Sequence, residues 1–235
     1  MHGLSGTGGA WDGLLPLLDR HWPGTWVIPD MRGHGRSAHS EQYGIASHAA
    51  DMARLVDRWD EIYIAGHSMG GLVGILLASG WFGISPKAVV TAGVKVDWTA
   101  RDYAGIDKLI EMPVRWFETE HEARERFILV TGLRGIADPA SDFSRTGIRQ
   151  ENGKWRLAAD NRTAMVAHAD TRDIYRTARA PVTLAAGALD PMVSAADLKI
   201  LDPSAKELPG LGHNPHVEDP EAFWQLISAA AGVIS

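Results

Sequence analysis

The stretch that decides the fold is Ile62-Tyr63-Ile64-Ala65-Gly66-His67-Ser68-Met69-Gly70-Gly71. A short apolar run stops at a glycine, a serine follows between small residues, and an apolar, helix-like segment begins at Leu72. This is Gly-x-Ser-x-Gly between a predicted strand and a predicted helix, the context that favours a nucleophile elbow over a chance match in a surface loop. We expect a strained Ser68 backbone, a hydroxyl clear of the sheet, and a Met69 N–H directed at a substrate oxygen.

A serine nucleophile needs a base, and the best candidate lies near the C-terminal end of the sequence. Leu208-Pro209-Gly210-Leu211-Gly212-His213-Asn214-Pro215-His216 reads as a glycine- and proline-rich loop after a predicted strand. Imidazole suits the base role because its ordinary pKa lies near neutrality. We select His213, because Gly212 allows a close approach to Ser68, whereas His216 suits packing of the loop.

Where a Gly-x-Ser-x-Gly elbow carries the nucleophile, the acid lies between it and the histidine in chain order, so we expect the acid after a strand between these two motifs. Pro181-Val182-Thr183-Leu184-Ala185-Ala186-Gly187 has the apolar character of a buried parallel strand, and Asp190 lies in the loop after it. Asp190 is therefore the predicted acid. Asp97, in the loop after the strand predicted at 87–93, is the competing candidate. For either residue, a helix cap or a turn aspartate is the structural alternative.

The second oxyanion donor is expected from the beginning of the chain. Met1-His2-Gly3-Leu4-Ser5-Gly6-Thr7-Gly8-Gly9 is a glycine-rich loop that leads into a predicted helix. Glycines let backbone N–H groups face an anionic oxygen, and we expect the N–H of Leu4 to complement that of Met69. A P-loop would need Gly-Lys-Ser/Thr, which is absent, and the glycine spacing fits a dinucleotide fingerprint poorly.

One more turn, Asp30-Met31-Arg32-Gly33-His34-Gly35-Arg36-Ser37, completes a set of five motifs. Because these five motifs occur in this order, the chain resembles the α/β-hydrolase superfamily, in its capped serine hydrolase or esterase form. The resemblance covers the chain apart from roughly residues 97–171. The resemblance implies an α/β fold with a doubly wound, mostly parallel sheet, and a structural role for the Asp30 turn. The chain departs from the family at the front, where a central strand should precede His2. We therefore expect the natural protein to extend upstream of Met1.

The order of predicted elements agrees with that fold. Strands predicted at 25–29, 61–66, 87–93, 181–187 and 204–208 alternate with helices predicted at 10–20, 45–59, 69–80, 194–201 and 219–232. The stretch after the strand at 87–93 breaks the alternation. We predict an α/β-hydrolase core at 1–94 and 172–235 and a cap, or lid, inserted at 95–171.

Within the predicted cap we expect short helices and a hairpin. The helices are predicted at Tyr103–Ile110, Met112–Glu118 and His121–Leu129, and Asn152-Gly153 has the composition of a hairpin tip. Trp98, Trp116 and Phe117 are candidate walls of a substrate pocket. The alternative is that these aromatic side chains only pack the cap onto the core.

Composition narrows the functional classes. The 235 residues are 45% hydrophobic and 22% charged, with a net charge of −6 and no cysteine. This chain can bury one sizeable core, cannot form disulfides or thiolate metal sites, and lacks the basic stripe typical of nucleic-acid binding. No signal peptide or apolar run of membrane length is visible. We predict a cytoplasmic protein that binds a small-molecule substrate, with no nucleic-acid or membrane partner, no metal and no cofactor.

The motifs together predict a serine hydrolase that cleaves a small or medium carboxylic ester, lactone or thioester through an acyl-enzyme. Two alternatives stay open. The first is a C–C bond hydrolase or lyase on the same triad, which would need arginines such as Arg101, Arg115 or Arg124 facing a substrate carboxylate. The second is a non-catalytic, hydrolase-like ligand receptor.

Overall fold

A four-stranded parallel sheet forms the centre of the computed structural model. The structure describes residues 1–233, so positions 234 and 235 of the predicted core segment lie outside the described residues. In chain order the strands are β1 (Tyr63–His67), β2 (Ala88–Ala92), β3 (Ile148–Glu151), β4 (Lys154–Leu157), β5 (Val182–Gly187) and β6 (Lys206–Leu208). The sheet order is β1-β2-β5-β6, with every neighbouring pair parallel. The predicted parallel α/β sheet is therefore confirmed. Strands β3 and β4 form a separate antiparallel hairpin.

Helices connect and cover these strands. The α-helices of the described residues are α1 (Leu15–His21), α2 (Ile45–Val56), α3 (Met69–Leu77), α4 (Ala100–Glu111), α5 (Glu120–Val130), α6 (Asp142–Thr146), α7 (Thr171–Thr177), α8 (Ala195–Lys199), α9 (Pro215–Glu218) and α10 (Pro220–Ala231). Two 3-10 helices span Gly8–Leu14 and Asn161–His168. Within residues 1–233, no helix has the length and apolar character needed to cross a bilayer.

Strand β5 shows how the sheet is buried on both faces. Leu184 and Ala186 pack in one cluster with Leu72 of α3. Ala185, between them, packs in the opposite cluster with Phe223 of α10. Successive side chains of a strand point to opposite faces, so helices on both sides account for the continuous apolar run in the sequence.

The strand predicted at 25–29 is wrong. These residues have no regular secondary structure and pair with no strand among the described residues. A strand needs a neighbour about 4.8 Å away to take its backbone hydrogen bonds, and an apolar cavity of about 610 Å³ lies between this segment and β1 instead. Beside the end of β1, the Met1 amino group donates to Ala65 O at 2.6 Å, and Met1 O accepts from His67 N at 3.0 Å.

The helix predicted at Met112–Glu118 is also wrong. This segment is extended, and Phe117 forms an antiparallel bridge with Trp155 of β4. Pro113 explains the difference, because proline lacks an N–H and disfavours a helical conformation at the preceding residue, Met112. The other two predicted helices are present as α4 and α5, each beginning with a capping box. The predicted hairpin tip at Asn152-Gly153 is confirmed, with both residues at positive φ.

Candidate active site

The turn between β1 and α3 holds Ser68 in a strained conformation. Its φ of 49° and ψ of −115° lie outside the regions that residues with a Cβ normally adopt, a state that costs on the order of 1–3 kcal/mol. A Cβ on Gly66 would lie 2.5 Å from Gly70 O, and one on Gly70 would overlap Met1 O. Ser68 N donates to Ala92 O at 2.8 Å, which ties the turn to the end of β2. The tight turn expected from the sequence is therefore present.

His213 and Asp190 lie in hydrogen-bond contact. His213 Nδ1 donates to Asp190 Oδ2 at 2.8 Å, and Asp190 Oδ1 accepts from Met192 N at 2.8 Å and Val193 N at 3.2 Å. The Asp190 side chain is 0% exposed and that of His213 is 15% exposed. A carboxylate can only accept, so the ring proton lies on Nδ1. In the ring that carries this single proton, Nε2 is the proton acceptor.

The competing acid, Asp97, lies in a different contact. Its carboxylate accepts from Arg172 Nη2 at 2.7 Å and 2.8 Å, and its side chain is 59% exposed. A bidentate guanidinium–carboxylate pair occupies both oxygens. The structure therefore brings Asp190, and not Asp97, to His213.

The backbone on either side of His213 is held by one carboxylate. Glu218 of α9 accepts from Gly212 N at 2.5 Å and from Asn214 N at 2.9 Å. These two N–H groups flank His213 in the chain. The sequence analysis did not identify Glu218, although its place on the helix after the histidine loop was a usable signal.

His67 makes a second contact with the same loop. Its Nε2 donates to His213 O at 2.7 Å, and the two rings meet edge to face with centroids 4.8 Å apart. Burial lowers the pKa of His67 well below its usual value, so the ring is neutral at physiological pH. This residue was also missed, because nothing in its sequence position next to Ser68 indicates which loop it faces.

Two backbone N–H groups border the same cavity as Ser68. Met69 is the first residue of α3, and N–H groups in the first turn of a helix have no intrahelical acceptor. The Leu4 N–H donates to no backbone or side-chain group within residues 1–233. Both residues line the cavity with Ser68, as the oxyanion prediction requires.

Two buried imidazoles hold the loop that carries Leu4. Each ring accepts through Nε2 from a backbone N–H: His34 from Ser5 at 3.2 Å and His2 from Met31 at 2.9 Å. Each also contacts a backbone carbonyl through Nδ1, which assigns the proton to Nδ1 in both rings. Burial lowers the pKa of His34 to about 4 and that of His2 well below its usual value. Neutral histidines thus support the loop.

A cavity of about 1090 Å³ opens between the sheet and the segment 95–171, and both Ser68 and His213 line it. Among the described residues, neither Ser68 Oγ nor His213 Nε2 has a hydrogen-bond partner in the protein. Of the three predicted pocket walls, Trp98 and Phe117 line this cavity. Trp116 is 42% exposed and lies outside the lining, where the guanidinium carbon of Arg156 is 5.9 Å from its ring centre.

No group of three or more His, Asp or Glu side chains in the part of the chain that the structure describes is arranged to hold a metal ion.

The sequence matches a family model described as the alpha/beta hydrolase family over residues 1–226. It is 25% identical over 258 alignment positions to the pimeloyl-[acyl-carrier protein] methyl ester esterase of Aeromonas hydrophila, covering 99% of this chain and 94% of the relative. It is 31% identical over 134 positions to a putative carbamate hydrolase of Cronobacter sakazakii, covering 55% and 43%. A serine hydrolase-like protein of Danio rerio is 37% identical over 78 positions, with only 23% of that relative covered.

Solved structures share the fold over nearly the whole chain. The crystal structure of E-2-(acetamidomethylene)succinate hydrolase has a TM-score of 0.78 at 24% identity, covering 98% of this chain and 89% of that one. A novel esterase from Mycobacterium tuberculosis has a TM-score of 0.78 at 20% identity, covering 99% and 82%. At these identities the likeness concerns the fold alone.

Proposed function

Because the chain belongs to the α/β-hydrolase family, we propose that it is a serine hydrolase that cleaves a small or medium carboxylic ester, lactone or thioester. The observation that carries this proposal is the shared cavity, into which both the strained Ser68 turn and the Asp190-bound His213 open. The unpartnered hydroxyl and the unpartnered ring nitrogen supply a proton donor and a proton acceptor to one cavity. In unliganded sites such a pair often becomes aligned only when substrate binds.

The first half-reaction forms an acyl-enzyme. Ser68 Oγ attacks the carbonyl carbon of the substrate, and its proton passes to His213 Nε2. Asp190 keeps the ring in the required tautomer and stabilises the imidazolium that forms. The Leu4 and Met69 N–H groups stabilise the negative oxygen of the tetrahedral intermediate. Collapse of that intermediate breaks the bond to the leaving alcohol or thiol, which takes its proton from His213.

The second half-reaction returns the free enzyme. Water enters the cavity, gives a proton to His213 Nε2 and attacks the acyl carbon. The second tetrahedral intermediate is stabilised by the same two N–H groups. When it collapses, the acid product leaves and the proton returns to Ser68 Oγ. The segment 95–171, which forms the other side of the cavity, would act as the predicted cap and limit the access of bulk water.

The proposal is tested by covalent labelling with a fluorophosphonate and by hydrolysis of p-nitrophenyl butyrate. Ser68→Ala should abolish both signals. Ser5→Ala is the matched control, because Ser5 is a second serine of the same cavity and should be dispensable. Labelling that persists in Ser68→Ala, or that disappears in Ser5→Ala alone, would contradict the assignment of Ser68 as the nucleophile.

Adding an acidic C–C substrate to the turnover assay separates the two alternatives. A C–C bond hydrolase on this triad would be labelled at Ser68 but would turn over p-nitrophenyl esters poorly compared with an acidic C–C substrate. A non-catalytic receptor would show no turnover of either substrate class.

A further inference from the structure

The cavity beside Ser68 has a charge opposite to that of the chain, whose net charge is −6. The cationic side chains that line it are Lys95, Arg101, Arg115, Arg126, Arg156 and Arg162. The lining carboxylates are Asp102, which pairs with Lys95 at 2.9 Å, and Asp160, which pairs with Arg162 at 2.7 Å. The cavity therefore keeps an excess of guanidinium groups after its own carboxylates have been paired.

Arg156 is the buried member of this group. The residue is 9% exposed, and its Nε donates to Leu157 O at 3.0 Å. The nearest carboxylate is that of Glu151, whose Oε2 lies 3.7 Å from Arg156 Nη1. Oε1 of the same carboxylate lies 3.9 Å from Arg149 Nη1. Arg149 and Arg156 are directly paired across the β3–β4 hairpin, so two cations share one carboxylate. A buried cation with incomplete compensation is unfavourable, and an anionic ligand would relieve that imbalance.

Arg115, in the segment 112–117, is a second arginine of the cavity lining. Its guanidinium carbon lies 5.0 Å from the ring centre of Phe117, and Phe117 N donates to Trp155 O at 2.8 Å. This bridge joins the segment to β4, the strand that carries Arg156. On its outer side, Arg115 borders a separate groove with Glu122 and Glu125. Within residues 1–233, it forms an ion pair with neither.

We propose that the substrate carries a carboxylate, separated from the scissile bond by an aliphatic chain, and that Arg156 binds this carboxylate while Arg115, elsewhere in the lining, adds to the positive potential that attracts it. The inference rests on the proposed function at Ser68 and names the substrate class of that site. The planar guanidinium fork matches a carboxylate in two parallel hydrogen bonds. Apolar side chains such as Leu72, Ile106 and Leu109 line the cavity too, and they suit the spacer.

The first experiment measures binding in a protein that cannot turn over substrate. Adipate and its neutral analogue adipamide are titrated into Ser68→Ala by isothermal calorimetry. Adipate should bind at least about tenfold more tightly. Adding Arg156→Met should weaken adipate about tenfold to a hundredfold, the range for a hydrogen bond to a charged group, and leave adipamide unchanged. Arg176→Met is the matched control, since Arg176 is an exposed arginine of α7 outside the cavity.

Arg115→Met is the second variant, because Arg115 is exposed and its replacement does not disturb a buried packing position. This variant should also bind adipate more weakly. Thermal unfolding checks that each variant is folded. Failure of adipate to bind more tightly than adipamide overturns the proposal. So does unchanged adipate affinity in both arginine variants.

The second experiment measures turnover by the native protein. The kcat/KM for monomethyl adipate should exceed that for methyl hexanoate, and Arg156→Met should reduce this ratio about tenfold or more. If kcat/KM still favours monomethyl adipate but Ser68 does not react with a fluorophosphonate, only the proposed nucleophile is overturned. Ser68-dependent turnover that prefers methyl hexanoate would overturn the carboxylate site alone.

Discussion

His67 donates from Nε2 to the carbonyl oxygen of His213 at 2.7 Å, so the residue that precedes the proposed nucleophile holds the backbone of the proposed base. The two residues are 146 positions apart in the chain. A shift of the His213 loop therefore has to break a hydrogen bond to the Ser68 turn itself. This hydrogen bond from a buried imidazole therefore contributes to fixing the His213 loop relative to the Ser68 turn.

We expect His67→Leu to lower kcat for p-nitrophenyl butyrate about tenfold, with little change in KM, because the loop loses its donor but the cavity keeps its shape. His67→Gln should recover most of the activity, since its amide nitrogen can replace Nε2 as the donor. Steady-state kinetics on both variants make the comparison. Equal loss in the two variants would show that His67 only fills space.

The Glu218 carboxylate should act on the same loop from the other side. Glu218→Gln leaves one acceptor oxygen for the two N–H groups of Gly212 and Asn214. We expect this variant to lower kcat several-fold and to lose about 1–2 kcal/mol of stability. Hydrogen exchange at residues 212–214 should become faster. The control is Glu221→Gln in the neighbouring α10, whose exposed carboxylate accepts from Gln225 and should be replaceable without either effect.

Asp190→Asn tests which carboxylate orients His213. The amide oxygen of the new side chain would keep accepting from Met192 and Val193, and its NH2 would then face His213 Nδ1 and force the ring into the wrong tautomer. By analogy with other triads, kcat should fall by a factor on the order of 10³–10⁴. Asp97→Asn removes the exposed pair with Arg172 and should leave kcat within about threefold. A larger effect at Asp97 would reverse the assignment.

The strain at Ser68 predicts that the serine itself lowers stability. Ser68→Ala keeps a Cβ and the strained φ, whereas Ser68→Gly removes the conflict and adds flexibility to the unfolded chain. The two effects oppose each other, and the strain term is the larger. We expect the free energy of unfolding of Ser68→Gly, measured by urea denaturation, to be about 1 kcal/mol higher than that of Ser68→Ala. A glycine variant that is less stable than the alanine variant would rule out stored strain.

Stability should fall as the pH is lowered through the range in which buried histidines resist protonation. Burial holds the pKa of His34 at about 4 in the folded state, while the unfolded chain titrates near 6.5. Between these values the unfolded state binds the proton first, so the contribution of His34 is complete above about pH 6.5 and is lost as the pH falls to about 4. The loss amounts to about 3 kcal/mol.

His34→Gln isolates this effect from the other buried histidines, which titrate in the same direction. The variant should show a shallower decrease in the free energy of unfolding between pH 6.5 and pH 4, measured by urea denaturation at several pH values. An identical slope in the two proteins would mean that His34 does not contribute to the pH dependence.

The local parts of the fold were predictable because they depend on short-range chemistry. The Ser68 turn, the strands flanking it and the hairpin tip at Asn152-Gly153 follow from glycine placement and apolar runs within about ten residues. The two wrong elements mark the limit of that reasoning. The apolar segment at 25–29 becomes a strand only if a neighbour takes its hydrogen bonds, and Pro113 overrides an apolar pattern that would otherwise suit a helix.

The sequence by itself determined the order of the motifs, the parallel α/β sheet and the candidate nucleophile, base and acid. Only the tertiary structure decided that Asp190, and not Asp97, meets His213, that His67 and Glu218 hold the histidine loop, and that Arg156 lies in the wall of the cavity. The physical reason is that these contacts join loops at the carboxyl ends of different strands. Their proximity depends on which strands are neighbours in the sheet, and no local pattern in the chain records that order.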